Sequence, residues 1–211
     1  LVYRKGWRFA PLAVVGFIVQ LLLIRAGMEW PTLGLSADAW PSGKGWMVIL
    51  LAYAFAASVL PVWSLLQPRD FLNSLLLYVG LGASYLGFFV VRPPFAAPAF
   101  NPSPEGAPDL FPFVFIVIAC GAASGFHSLV SSGTTAKQLD KETDARFVGY
   151  GGMIGESLLG LLAVLACTAG FAGPELWHGH YASWGASAGL AAKIGAFVQG
   201  CTVFISGLGV P

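Results

Sequence analysis

Charge is scarce in this chain, and its scarcity excludes several classes of protein. Only 10% of the 211 residues are charged and the formal net charge is +1, whereas roughly a quarter of the residues in soluble domains are charged. An ordinary soluble domain is therefore excluded, and nothing indicates a nucleic-acid partner. The chain has 3 cysteines and no C-x-x-C pair, so neither a disulfide framework nor redox chemistry is indicated.

The sequence also lacks the motifs of several common enzyme classes. It contains no P-loop and no G-x-S-x-G nucleophile elbow. Glu175, His178 and His180 have a spacing that could suit a metal, but no fourth ligand accompanies them. The sequence therefore predicts neither a metal nor another bound cofactor, and it disfavours an intramembrane enzyme.

Apolar sequence, in contrast, is abundant. Hydrophobic residues make up 56% of the chain, its mean hydropathy is +0.74, and a membrane-spanning helix needs about 20 apolar residues. Six apolar stretches lie at about residues 9–24, 46–66, 71–91, 111–132, 147–172 and 187–208. The first is short for a crossing, and the next four are long enough. We predict an all-α, polytopic transmembrane helix bundle with about six membrane segments.

The chain ends and the connections indicate the setting of this bundle. The chain begins on Leu1 without a signal-peptide cleavage site and ends inside an apolar stretch. We therefore interpret residues 1–211 as a single transmembrane domain and a fragment of a longer membrane protein. Positive charge is concentrated before the first stretch, in a tight turn at 67–70 and in the loop 134–146. These segments are predicted to be cytoplasmic, and the Pro-rich stretch 92–108 is predicted to be a loop.

Polar side chains interrupt the fourth apolar stretch. Helical spacing places Ser124, His127, Ser128, Ser131 and Thr135 on one stripe, and polar groups at membrane depth are costly unless they have a use. If the helix unwinds at Gly133, its freed backbone groups could hold an anionic substrate, as broken helices do in transporters. The candidate substrate-binding residues are His127, Ser128, Ser131, Ser132, Gly133, Thr134 and Thr135. The alternative is that these hydroxyls bond to carbonyls of their own helix or to a neighbouring helix.

The fifth stretch carries one carboxylate on a face of small residues. That face consists of Gly149, Gly152, Glu156, Gly160, Ala163 and Cys167. Such a face lets another helix approach closely, as do Gly121 and Gly125 in the fourth stretch. An ionisable group in a membrane segment is a functional candidate by default, so we predict that Glu156 takes part in proton coupling together with His127. The alternative is a structural hydrogen bond to an adjacent helix.

Arg69 and Asp70 follow Pro68 at the predicted start of the third segment. Asp in a first helical turn is favoured by the helix dipole, so the pair could cap and anchor that helix. A structural or gating role is therefore predicted for both residues.

Two segments of the sequence are similar to a known family. Residues 60–73, and residues 118–156 above all, resemble the carbon starvation protein A (CstA) family of bacterial inner-membrane transporters. The resemblance implies a piece of a larger transporter fold with inverted repeats and a broken helix. It also implies uptake of peptides or pyruvate when carbon is scarce, pyruvate uptake being proton-driven. The matching positions include Arg69, Asp70, residues 127–135 and Glu156, whereas Ala136 stands where many relatives are expected to have Pro.

These observations together predict a secondary active transporter in the lipid bilayer. It would import a small carboxylate such as pyruvate, or short peptides, by symport with protons as the coupling ion. The alternative is a membrane-embedded sensor that binds the same metabolite without net transport. The sequence leaves the oligomeric state open.

Overall fold

The computed structural model describes residues 9–30, 41–61, 66–100, 106–123, 125–187 and 189–209. These residues form helices and connecting segments without a strand, which confirms the all-α prediction. The helices are α1 (Phe9–Glu29), α2 (Gly43–Val59), α3 (Leu66–Val91), α4 (Leu110–Ala122), α5 (Gly125–Val130), α6 (Asp144–Ala169), α7 (Pro174–His180), α8 (Trp184–Ser187) and α9 (Leu190–Ser206). A π-helical turn, Ser131–Thr135, follows α5.

Several of these helices have the length and composition of membrane spans. Within the described ranges, four apolar helical runs are long enough to cross a membrane: Pro11–Glu29, Gln67–Val91, Leu110–Thr135 and Asp144–Ala169. Two apolar helices, α2 and α9, are shorter, with 17 residues each. The chain is thus a multi-pass helical membrane protein, as the composition predicts.

The first two segments differ in length from the prediction. The first is longer, because α1 runs for 21 residues to Glu29, whose carboxylate pairs with Arg25 one turn earlier at 2.8 Å. The second is shorter, because α2 ends at Val59. Pro61 disfavours helical geometry in the residue before it, and Leu60 is extended with φ −70° and ψ 148°.

The predicted tight turn at 67–70 is wrong. Helix α3 begins at Leu66 and includes these residues. Pro68 is tolerated there because the first N–H groups of a helix have no partner inside the helix, so the missing proline N–H costs nothing. The loop predicted at 92–108 is confirmed for its described residues, 92–100 and 106–108, which are non-helical.

The chain divides into two compact units, residues 1–80 and 81–211. In the first unit, Gln20 Nε2 of α1 donates a hydrogen bond to Asn73 Oδ1 of α3 at 3.2 Å. In the second unit, the core consists of Leu162, Ala166 and Ala169 of α6 together with Phe204 of α9, and Leu81, Tyr85 and Phe88 of α3 pack against it. The prediction of a single domain over residues 1–211 stays a prediction.

Small residues allow α6 and α9 to pack closely in the second unit. A Cβ on Gly200 would overlap the backbone of Ala166, and a Cβ on Gly170 would overlap that of Gly200. The close packing of α6 against α9 therefore requires glycine, as it does in other membrane bundles.

The glycines of the small-residue faces predicted from the sequence are open among the described residues, whereas Cys167 at the end of one face is packed. No described neighbour lies within 4 Å of a Cβ placed on Gly121, Gly125, Gly149, Gly152 or Gly160. The expectation that another helix approaches these faces is wrong for the described part of the chain. Spacing alone could not identify the packed face, because residues 149–160 and 166–170 both contain several small residues.

A second cluster closes the C-terminal end of α6. Helix α7 lies there, and Trp177 Nε1 donates to Cys167 O at 3.1 Å. Phe171, Ala96 and Ala196 are buried against Trp177 and Tyr181. Burial, aided by a hydrogen bond with Cys167, raises the pKa of Tyr181 to about 12, so this phenol stays protonated at neutral pH.

Candidate functional site

The run Leu110–Thr135 is a discontinuous helix. Helix α4 ends at Ala122, Ala123 has φ −115° and ψ 32°, and helical structure resumes at Gly125 in α5. Gly121 and Gly125 flank this break and have low helix propensity. The predicted broken helix is thus confirmed, although its interruption comes ten residues earlier than expected. Ser124 of the predicted polar stripe lies outside the described residues.

At Gly133 the helix widens instead of unwinding, so the predicted unwinding is wrong. The N–H of Ala136 donates to Ser131 O, five residues earlier, at 2.9 Å. This pattern defines the π-helical turn Ser131–Thr135. Such turns are rare and occur frequently at functional sites, because the extra residue changes which groups the helix presents.

The serine hydroxyls next to this turn bond to their own helix. Ser131 Oγ and Ser132 Oγ both donate to Ser128 O, at 3.0 and 2.8 Å. For these two residues the alternative, back-bonding to helix carbonyls, is what the structure shows. The hydroxyls of Ser128, Thr134 and Thr135 make no hydrogen bond with another described residue, so these three are the donors available to a ligand.

His127 and Glu156 are in contact between α5 and α6. His127 Nε2 lies 3.2 Å from Glu156 Oε1, and the two side chains are 55% and 64% exposed. The structure therefore brings together His127 of the fourth apolar stretch and Glu156 of the fifth, which lie on separate segments of the sequence. An acidic and a basic group in contact within membrane segments can hold and exchange a proton.

Tyr85 is a residue at this site that the sequence did not single out. Its hydroxyl, on α3, donates to Leu158 O of α6 at 2.7 Å, two residues after Glu156. The burial of α6 begins only at Leu162, so Tyr85 supports the part of α6 that carries the carboxylate. A tyrosine inside an apolar helix requires a partner for its hydroxyl, and that requirement is the signal that could have identified it.

Arg69 and Asp70 lie in the first unit, near the start of α3. Arg69 Nε and Nη2 donate to Asp70 Oδ1 at 3.1 and 2.9 Å, and Arg69 Nη1 donates to Tyr53 Oη of α2 at 3.4 Å. Asp70 is the fifth residue of α3, so the predicted capping role is wrong. The pair instead links α3 to α2. Its gating role stays a prediction.

Metal binding finds no support in the described part of the chain. No group of three or more His, Cys, Asp or Glu residues there could hold a metal ion. Glu175, His178 and His180, whose spacing drew attention in the sequence, all lie on α7.

Comparison with known proteins identifies the family. The family model described as carbon starvation protein CstA matches residues 1–208. The chain belongs to this family. The resemblance of residues 60–73 and 118–156 is thereby confirmed and extends over nearly the whole chain. No solved structure matches it.

The similar curated proteins carry the names of transporters. The peptide transporter CstA of Helicobacter pylori is 43% identical over 83% of this chain and 26% of its own length. The pyruvate/proton symporter BtsT of Escherichia coli is 48% identical over 56% of this chain and 17% of its own length. The peptide transporter CstA of Mycobacterium tuberculosis is 40% identical over 77% of this chain and 22% of its own length.

The chain covers 26% of the length of the Helicobacter relative. The names of these relatives agree with the prediction that the chain is not an enzyme.

Proposed function

We propose that this chain is part of a secondary active transporter that imports a small carboxylate, such as pyruvate, or short peptides by symport with protons. Family membership and the names of the relatives support a transporter. The observation that carries the proton coupling is the contact at 3.2 Å between His127 Nε2 and Glu156 Oε1. An ionisable pair is expensive in a membrane segment and is retained where its protonation is used.

The residues around the π-helical turn supply the substrate site in this proposal. A carboxylate needs hydrogen-bond donors. The hydroxyls of Ser128, Thr134 and Thr135 donate no hydrogen bond to another described residue. Ser131 and Ser132 contribute once the substrate replaces their bonds to Ser128 O. The arrangement resembles the discontinuous helices that hold anions in other transporters.

The setting of the transporter is the bacterial inner membrane, and uptake serves the response to carbon starvation. The segment 136–143 connects the π-helical turn to α6 and carries Lys137 and Lys141. By the positive-inside rule this segment and the N-terminus of the chain face the cytoplasm.

Uptake into proteoliposomes tests the proposal. The full-length protein should accumulate labelled pyruvate or a labelled dipeptide when the outside is acidic, and only equilibrate it when the two sides have equal pH. Protein-free vesicles are the control for leakage. A sensor would bind the label in detergent without accumulating it in vesicles, and that result would refute the transporter.

A further inference from the structure

We infer that Glu156 and the carboxylate of the substrate are alternative partners of His127, so that substrate binds only when Glu156 has taken up a proton. This inference rests on the proposed function and specifies its substrate class: an anion with a carboxylate group, presented to His127 Nε2. It follows from the contact between His127 and Glu156 and from the donors around it.

The geometry of the contact between His127 and Glu156 favours exchange over a permanent bond. Glu156 reaches His127 with one oxygen at 3.2 Å, which is long for a charge-assisted hydrogen bond. More than half of each side chain is exposed among the described residues, and on this inference the second carboxylate reaches the nitrogen from that side. A buried pair of bidentate geometry would offer no such opening.

The neighbouring donors suit the incoming carboxylate. His127 and Ser128 are adjacent on α5, and the π-helical turn with Thr134 and Thr135 begins one residue after that helix ends. The turn therefore presents hydroxyl donors close in sequence to His127, whereas Glu156 reaches His127 from a different helix, α6. A ligand held by α5 and the turn would replace the contact with α6 and leave α5 itself intact.

No strong fixed charge competes for Glu156 among the described residues. Arg146 lies ten residues before it on α6, about 15 Å along the axis, and contacts the ring of Tyr150 at 5.9 Å. The hydroxyl of Tyr85 is bonded to Leu158 O. Helices α4, α6 and α9 and the segment 136–143 carry the remaining titratable or charged groups. These are Cys120 of α4, Asp144 and Cys167 of α6, Lys193 and Cys201 of α9, and Lys137, Asp140, Lys141 and Glu142 of the segment 136–143.

The exchange balances in charge and in protons. The exchange requires that His127 and Glu156 share one proton in the paired state, so that the pair carries no net charge. One proton from outside joins the carboxylate of Glu156, and one substrate anion takes its place at His127 Nε2–H. Inside, the anion leaves, Glu156 releases its proton and the pair re-forms. One proton and one carboxylate cross together, so a monocarboxylate moves without net charge.

Equilibrium binding of labelled pyruvate to the full-length protein tests the exchange. Glu156→Gln removes the competing charge while keeping the size of the side chain, so the dissociation constant should fall about tenfold, the factor expected if the competent state is about a tenth of the population. Glu175→Gln on α7 is the matched control for loss of a carboxylate. His127→Gln should lose binding.

The outcomes separate this inference from the proposed function. Unchanged or weaker binding by Glu156→Gln overturns the exchange. Proton-driven uptake by the wild-type protein would still support the proposed function in that case. In wild-type vesicles, a pH difference alone should drive pyruvate accumulation and a membrane potential alone should not. Accumulation driven by potential alone also overturns it. Absence of any wild-type uptake refutes the proposed function instead.

Discussion

Replacing Glu156 by Gln in the full-length protein is expected to abolish proton-driven accumulation while exchange of substrate across the membrane continues. The amide has the shape of the carboxylate but cannot take up and release a proton, so substrate flow is no longer tied to proton flow. For one proton per carboxylate, each pH unit supports an accumulation of about tenfold, since tenfold in concentration corresponds to about 1.4 kcal/mol. The variant should not accumulate pyruvate, so the whole of the tenfold accumulation per pH unit should be lost.

The measurement compares two modes of the same vesicles. Uptake of labelled pyruvate is followed with an acidic exterior, and counterflow is followed at equal pH with unlabelled pyruvate inside. Glu175→Gln should retain both modes, because that carboxylate lies on α7, outside the pair of His127 and Glu156. If Glu156→Gln accumulates pyruvate as the wild type does, Glu156 is structural. If it loses counterflow as well, its role is in binding or folding.

Replacing Gly200 by Ala should lower the stability of the protein by about 1–3 kcal/mol, the usual cost of overpacking. A Cβ at this position meets the backbone of Ala166, and a backbone cannot move aside as the end of a flexible side chain can. The contact lies beside the core of Leu162, Ala166 and Phe204 that fixes α9 against α6. The helices would have to separate, and the second unit would lose the close packing of α6 against α9.

Gly195→Ala, on the same helix, is the matched control. No atom among the described residues lies within 4 Å of its Cβ position, and Ala has a higher helix propensity than Gly by about 1 kcal/mol. Thermal unfolding in detergent, followed by loss of the monodisperse peak in gel filtration, should show a lower midpoint for Gly200→Ala and an equal or higher one for Gly195→Ala. Equal midpoints for both variants would show that the close packing of α6 and α9 contributes nothing to stability.

The sequence identifies the membrane helices and the ionisable residues within them, but not which of those residues meet. Hydropathy identifies membrane helices because apolar length is a property of each segment alone. Glu156 and His127 stand out for the same reason, since any ionisable group is conspicuous in apolar sequence. Their contact depends on how α5 and α6 pack, and no local pattern reports that.

The errors have related physical causes. Gly133 was expected to break the helix, but glycine only weakens helical geometry, and here the backbone keeps a hydrogen bond by widening into a π-helical turn. Pro68 suggested a turn, although proline is compatible with the first turn of a helix. Gly200 was passed over because its requirement for glycine arises from Ala166, on another helix. Tyr85 was missed because its hydroxyl finds its partner across a helix interface.

Proton movement during pyruvate uptake tests the central claim most directly. Full-length protein is reconstituted into vesicles that contain a pH-sensitive dye, pyruvate is added outside at equal pH, and lumenal acidification and labelled pyruvate uptake are recorded together. The His127 and Glu156 pair predicts that one proton enters with each pyruvate, and that Glu156→Gln vesicles take up pyruvate without acidification. Pyruvate entry into wild-type vesicles without acidification, beyond the level in protein-free vesicles, would contradict proton coupling.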